Sequence, residues 1–202
     1  MTPADRTTTT TLLLQSLHDK NNHAVWREFD DRYRSIIIGF ARNLGLNEEE
    51  AHEVAQQTLT EFVRDFSAGK YNRDRGRLRS WIIGIAHHRS ADHCRGRARR
   101  RPNRGESAMA DLADAGRVTE SWELAQQRAI FERAFKELRD NTRMAKTTIQ
   151  AFEMVAIRGI PPEVVAQECG ISTAEVYVAK TRVTSKLREI VARMSEQYAE
   201  DI

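Results

Sequence analysis

Residues 163 to 178 read Glu163-Val164-Val165-Ala166-Gln167-Glu168-Cys169-Gly170-Ile171-Ser172-Thr173-Ala174-Glu175-Val176-Tyr177-Val178, and the spacing within them predicts a helix-turn-helix. Ala166 is small where two helices must approach closely. Gly170, four residues later, gives the turn a permissive backbone, and Val176, six further on, packs the second helix back onto the first. Ser172 with Glu175 forms a capping box that fixes the start of the second helix. Val176, Val183 and Leu187 make that helix's core side. Thr173, Ala174, Tyr177, Lys180, Thr181 and Arg182 are then left to face base edges and phosphates if it enters a major groove. An ordinary helical hairpin with a glycine turn does not require small, glycine and β-branched residues at these three spacings together with a basic C-terminal helix.

Working outward, Arg158-Gly159-Ile160-Pro161-Pro162-Glu163 breaks and restarts the chain, Pro162 being acceptable in a first helical turn because no N–H is needed there. A helix is expected over about Lys146 to Ile157. Before it, Trp122, Leu124, Ala125, Ile130, Phe131, Ala134, Phe135 and Leu138 form a helical stripe that starts after Thr119, a suitable N-cap. Between Arg99 and Gly116 stand Pro102, Gly105 and Gly116 with little helical patterning, which predicts a flexible linker and a lobe boundary near residue 110.

The first lobe is helical as well. Trp26, Phe29, Tyr33, Ile36, Ile37, Phe40 and Leu44 make one stripe ending at Gly45, a residue suited to a left-handed C-cap. Asn47 and Glu50 form a second capping box, followed by Ala51, Val54, Ala55, Thr58, Leu59, Phe62 and Val63 as a buried side. After a polar loop from Ser67 to Gly76, Leu78, Trp81, Ile82, Ile85 and Ala86 mark a third helix, which runs into Arg89, Arg95, Arg97 and Arg99. Apolar residues recur three and four apart nearly throughout and no repeat of fixed period is present. The expected fold is all-α. It comprises a disordered lead-in over 1–19, a helical domain over 20–98, a flexible linker over 99–118 and a helix-turn-helix domain over 119–202.

The chain has 202 residues, 40% hydrophobic and 30% charged, which suits one modest domain or two small ones. The overall charge of +3 hides a segregation. Residues 1–66 carry a net −4, residues 67–104 a net +10 and residues 105–202 a net −3. Eleven of the twelve cations in the central block are arginines, whose forked donors suit phosphate. Arg73, Arg75, Arg77 and Arg79 line the loop and helix start, with Arg89, Arg95, Arg97, Arg99, Arg100, Arg101 and Arg104 beyond. Tyr71 and Trp81 sit among them. Cations that track a backbone, interleaved with rings that stack on unpaired bases, point to opened or single-stranded nucleic acid, although Trp81 taken alone is better placed in the core.

Other classes fall away. The longest apolar run, Ile36 to Ala41, is six residues interrupted by Gly39, against roughly 20 needed to span a bilayer. Met1 to Thr11 lacks the apolar core of a secretory signal, so a soluble, cytoplasmic protein without membrane association is expected. Cys94 and Cys169 fall in different lobes without Cys-x-x-Cys spacing, which indicates neither a disulfide framework nor a zinc module. Glu48, Glu49, Glu50, His52 and Glu53 suit a solvated first helical turn better than a metal or catalytic site. His87, His88, His93 and Cys94 place only His87 and Cys94 on one face. No cofactor, metal or catalytic residue is expected.

Trp26 to Leu44, then Glu50-Ala51-His52-Glu53-Val54-Ala55-Gln56-Gln57, then Gly76-Arg77-Leu78-Arg79-Ser80-Trp81-Ile82-Ile83-Gly84-Ile85-Ala86-His87-His88-Arg89 with Asp92 and Arg95, resemble region 2 of the extracytoplasmic-function (ECF) sigma factors of the sigma-70 family. The carboxyl half, ending Val183-Thr184-Ser185-Lys186-Leu187-Arg188-Glu189, resembles their region 4. The resemblance covers nearly the whole chain after residue 20.

It implies a protein that binds core RNA polymerase and directs it to promoters, the first lobe reading and opening the -10 element and the second docking on the -35 element. By the same resemblance, His52, Glu53, Gln56, Gln57 and Thr60 would face the clamp helices of the largest polymerase subunit, and the flap would be a further polymerase contact. The loop Ser67 to Arg75 would hold an extruded base. Tyr71, Arg73, Arg75, Arg77, Arg79, Arg89 and Arg95 would serve the -10 region, and the six outward residues of the last helix the -35 duplex. Family members are often held by an anti-sigma factor; nothing in this chain names one. Leu78 stands where the family usually carries Phe, and His88 where Asn is common. Tyr177-Val178-Ala179 replaces a more basic stretch. The alternative is a conventional helix-turn-helix regulator that binds duplex DNA without polymerase.

Overall fold

The computed structural model describes residues 10–17, 22–100 and 114–198. All regular structure among them is helical, and none of these helices is long and apolar enough to cross a membrane. The chain divides into a first unit, residues 1–129 with 198–202, and a second, residues 130–197.

In the first unit, α1 (Thr10–Leu17) buries Leu13 and Leu17. The expectation of a disordered lead-in to residue 19 is therefore corrected for 10–17: these two leucines lie one helical turn apart and share a face. Residues 1–9 and 18–21 lie outside the described residues. Helix α2 (His23–Asn43) starts where the Asn22 side chain accepts from the Val25 N–H, and it buries Phe29, Tyr33, Ile36, Ile37 and Phe40. It ends as anticipated at Gly45, whose φ of +84° lets the Leu46 N–H reach the Ala41 carbonyl.

Helix α3 (Glu48–Ser67) has both hydrogen bonds of the capping box, Glu50 N–H to Asn47 Oδ1 at 2.9 Å and Asn47 N–H to Glu50 Oε2 at 3.0 Å. Its buried side is the expected one except at Val63, which is exposed; Phe66, four residues after Phe62, closes the stripe instead. Helix α4 (Leu78–Arg100) packs Leu78, Ile82, Ile85 and Ala86 into the same core.

The next helix departs from expectation. Helix α5 (Ala115–Asn141) begins before Thr119, which lies inside it and donates to the Ala115 carbonyl; the N-terminal cap is Asp114, accepting from the Gly116 and Arg117 N–H groups. Of the expected linker, residues 99–100 and 115–118 are helical, and residues 101–113 lie outside the described residues. The division of the chain falls inside α5, between Ala129 and Ile130, rather than near residue 110.

The cause is the amino-terminal end of the stripe, which belongs to the first core. Trp122 is fully buried, with its ring edge-on to Phe40 at 5.5 Å. Ala125 sits over Gly39, where an added Cβ would come within 3.1 Å of the Ala125 Cβ. Two residues with so little side chain let α2 and α5 approach closely, and Asn43 Nδ2 donates to the Ser121 carbonyl at 2.9 Å beside them.

The second unit holds the rest of α5, then α6 (Lys146–Phe152), which continues as a wider turn over Glu153–Ile157. There the Arg158 N–H reaches back five residues to the Glu153 carbonyl. Helices α7 (Pro162–Cys169) and α8 (Thr173–Glu196) follow. Ala151, Met154, Val165, Ala166, Val176 and Ala179 form one apolar cluster joining α6, its wide turn, α7 and α8.

Candidate polymerase and nucleic-acid surfaces

Helix α3 stops at Ser67 because Gly69, at φ +72°, turns the chain and the Lys70 N–H bonds back to the Asp65 carbonyl. Asp65 also accepts from Arg64 at 2.8 Å and Lys70 at 3.0 Å, and these two cations hold its carboxyl below the ordinary range. Asn72 then caps a short 3-10 turn, Arg73–Arg75, by accepting from the Asp74 N–H.

This anchored loop places Tyr71 against Trp81, ring centroids 5.3 Å apart and 22° from parallel. Both rings continue inward, Tyr71 onto Phe66 at 6.0 Å and Trp81 onto Phe62 at 5.2 Å, and Phe62 stacks on Phe29 at 4.3 Å. The outer end of this aromatic series opens into a pocket of about 330 Å³ lined by Lys70, Tyr71, Asn72, Gly76, Arg77, Ser80 and Trp81. Flat apolar walls, two cations and an amide beside a hydroxyl are suited to a planar ring carrying polar edges and a phosphate. Trp81 is both wall and core, where its sequence context alone favours core. Lys70 and Asn72 belong to the loop Ser67 to Arg75 that the sequence singles out, and Ser80, beside Trp81, joins them in the lining.

The other arginines sort into distinct situations. Arg77 lines the pocket and Arg73 sits on the exposed turn, while the side chain of Arg75 lies outside the described residues. Arg79 pairs with Glu123 at 3.2 Å. Arg89 is held by Glu61 at 2.5 Å and Asp92 at 3.5 Å, and Arg95 by Asp92 at 2.6 Å. The hydrogen bond from Arg95, with His88 and Arg89 nearby, keeps the Asp92 carboxyl low. Arg97 bonds Glu50 and the Gly45 carbonyl, fastening α4 to the α2–α3 turn. Arg101 and Arg104, with the side chain of Arg100, lie outside the described residues.

On the outer face of α3, His52, Glu53, Gln56 and Thr60 are exposed and Gln57 is half-buried. They interlock along the helix: Gln57 donates to Glu53 at 3.1 Å, and Gln56 donates to the Thr60 hydroxyl at 3.4 Å. Arg34, itself fixed by Asp30, donates to Gln56 Oε1 at 3.2 Å. The Asp30 hydrogen bond reinforces the Arg34 charge. All five expected residues thus share one polar surface.

In the second unit Gly170 takes the left-handed conformation at φ +64°, letting the Ile171 N–H return to the Ala166 carbonyl. Ser172 and Glu175 make both capping-box bonds, and the Ser172 N–H and hydroxyl hold the Glu175 carboxyl below its ordinary value. Val176, Val183 and Leu187 are buried. Of the outward set, Ala174, Tyr177, Lys180, Thr181 and Arg182 are exposed and Thr173 is half-buried. Among the described residues no group of three or more His, Cys, Asp or Glu side chains is arranged to hold a metal ion. Burial pushes the Cys94 thiol up, away from the reactive thiolate.

The family model for Sigma-70 region 2 matches residues 29–100, a segment that runs from within α2 to the end of α4 and holds both first-unit surfaces. Nothing among the curated proteins matches the chain. Residues 29–100 are thus similar to Sigma-70 region 2.

Proposed function

We propose that this protein is a sigma factor of the ECF type, which binds core RNA polymerase and selects promoters with two separate DNA-reading surfaces. The observation that carries the reading is the pocket beside Tyr71 and Trp81, within a segment matched by Sigma-70 region 2; the capped helix pair α7 and α8, joined at the left-handed Gly170, supports it.

In this reading the outer face of α3, through His52, Glu53, Gln56, Gln57 and Thr60, docks on the clamp helices of the largest polymerase subunit. Its polar, acid-containing surface suits a protein partner better than a polyanion. The pocket takes an unpaired base of the -10 element, with Tyr71 as a stacking wall and Arg73, Arg75 and Arg77 near the backbone. Arg79, Arg89 and Arg95 extend the cationic track along α4 after exchanging their carboxylate partners for phosphate. The outward residues of α8 dock on the -35 duplex.

The test is co-elution of the full chain with core polymerase. The double variant Glu53→Ala, Gln56→Ala changes exposed side chains, so its helical circular dichroism should match wild type while polymerase affinity falls. Undiminished affinity would remove this face from the polymerase contact. Failure of the wild-type chain to co-elute would overturn the sigma reading itself.

A further inference from the structure

The outward face of α8 has an unusual composition for a helix that docks on nucleic acid. Ala174, Tyr177, Val178 and Thr181 stand at i, i+3, i+4 and i+7, so they form one stripe. It lies opposite Val176, Ala179, Val183, Leu187 and Ile190, which are buried. Tyr177 is 54% exposed and Val178 56%. Single exposed apolar side chains are ordinary on protein surfaces. Here two adjacent ones occupy the centre of the face that a helix-turn-helix presents.

Side chains that discriminate bases by hydrogen bonds are Arg or Lys paired to guanine, Asn or Gln paired to adenine, and Asp or Glu accepting from the cytosine amino group. The stripe contains none of them. The nearest acid, Glu175, is committed to the Ser172 N–H and hydroxyl, each at 2.7 Å, and so is not presented to a cytosine amino group. The cations stand at the flanks, Lys180 beyond Tyr177 and Arg182 beyond Val178, with Arg188 two turns further along. Among the described residues none of these three is in an ion pair, whereas Lys186 is held by Glu189 at 2.8 Å. A neutral, methyl-bearing centre between flanking cations complements a major groove, with its base edges in the middle and a phosphate strand on either side.

We propose that Ala174, Tyr177, Val178 and Thr181 read thymine C5-methyl groups, so that the upstream duplex is selected by apolar contact at thymine-bearing positions. The proposal rests on the reading of this helix as a duplex-docking element. It adds Val178, which a view restricted to polar and basic side chains passes over. The thymine methyl is the one apolar group on the major-groove edge, and alanine, valine and threonine methyls are its natural partners. Burying one methyl is worth about a fourfold change in affinity.

The test uses the full chain assembled with core polymerase and a pool of random short duplexes. The enriched duplexes are remade with deoxyuridine replacing thymidine one position at a time, which deletes only the methyl. Binding about fourfold weaker at two or more thymine positions is expected, with Val178→Ala abolishing the sensitivity at one of them. If deoxyuridine duplexes bind as tightly as the originals while Lys180→Ala and Arg182→Ala still weaken binding, the helix is on DNA and methyl reading is overturned. If no duplex is enriched and Tyr177→Ala or Val178→Ala lowers affinity for core polymerase instead, the stripe docks a protein. The inference and the duplex reading then fail together.

Discussion

Arg89 meets Glu61 and Asp92 before it can meet any phosphate, so the charge it offers a nucleic acid is the remainder after that competition. Replacing Glu61 by Gln removes the nearer of the two competitors and keeps the shape. Affinity of the polymerase-bound chain for a partly opened promoter duplex is expected to rise by up to about fivefold, the scale of a partly exposed ion pair, while Arg89→Ala lowers it; filter binding measures both. Tyr71 sets a second expectation. Its ring is half-buried and walls the pocket, so Tyr71→Ala should leave the fold intact and lose about 1–3 kcal/mol of single-strand binding, the worth of one stacked base. Glu175 supplies a pH dependence with a definite sign. The hydrogen bonds from Ser172 lower its folded pKa below the ordinary 4.5. Its contribution to stability is present above the unfolded value and lost as pH falls through the folded one. Glu175→Gln should flatten the stability profile of the helix-turn-helix below about pH 4.5, read by thermal melts across pH. A profile unchanged by the substitution would assign the acid sensitivity elsewhere.

At the scale of elements, the contact of α2 with the start of α5 is limited by two small residues. Gly39→Leu forces a branched side chain toward the Ala125 Cβ and should destabilise the chain by about 1–3 kcal/mol. Ala125→Gly in that background should recover part of the loss, as chemical denaturation would show. This contact also explains where the sequence could and could not be read. The helix ends were legible because their chemistry is local: Asn47 with Glu50, Ser172 with Glu175, and the left-handed glycines Gly45 and Gly170 all act within a few residues. The division of the chain was not, because whether Trp122 and Ala125 join the first or the second core depends on Gly39 and Phe40, some eighty residues earlier. Val63 was misplaced for a related reason. It lies at the edge of the α3 stripe, and periodicity marks the centre of such a stripe more sharply than its border. Of the candidate surfaces, the α8 face followed from helical periodicity, and the α3 face from the family resemblance placed on a periodic helix. The pocket did not, since its polar lining comes from a loop whose path is set by Gly69, Asn72 and the back-bond to Asp65.

Across the whole molecule, the proposed function keeps different charge characters on separate surfaces. In the proposed function the interlocked polar face on α3 is assigned to a protein, the aromatic pocket with its two cations to opened strands, and the neutral stripe flanked by cations to duplex. Deleting one cation that neutralises a phosphate lowers the salt dependence of duplex binding by about one released ion. Lys180→Ala and Arg182→Ala should therefore each flatten the logarithmic slope of affinity against salt by about that amount, whatever the duplex sequence. The most direct test of the central claim is run-off transcription by core RNA polymerase on a library of double-stranded promoter fragments, with and without the full chain. Transcripts with defined start sites that appear only when the chain is added are the expected result. Equal initiation in its absence, or tight promoter binding by the chain alone with no effect on polymerase, would contradict it.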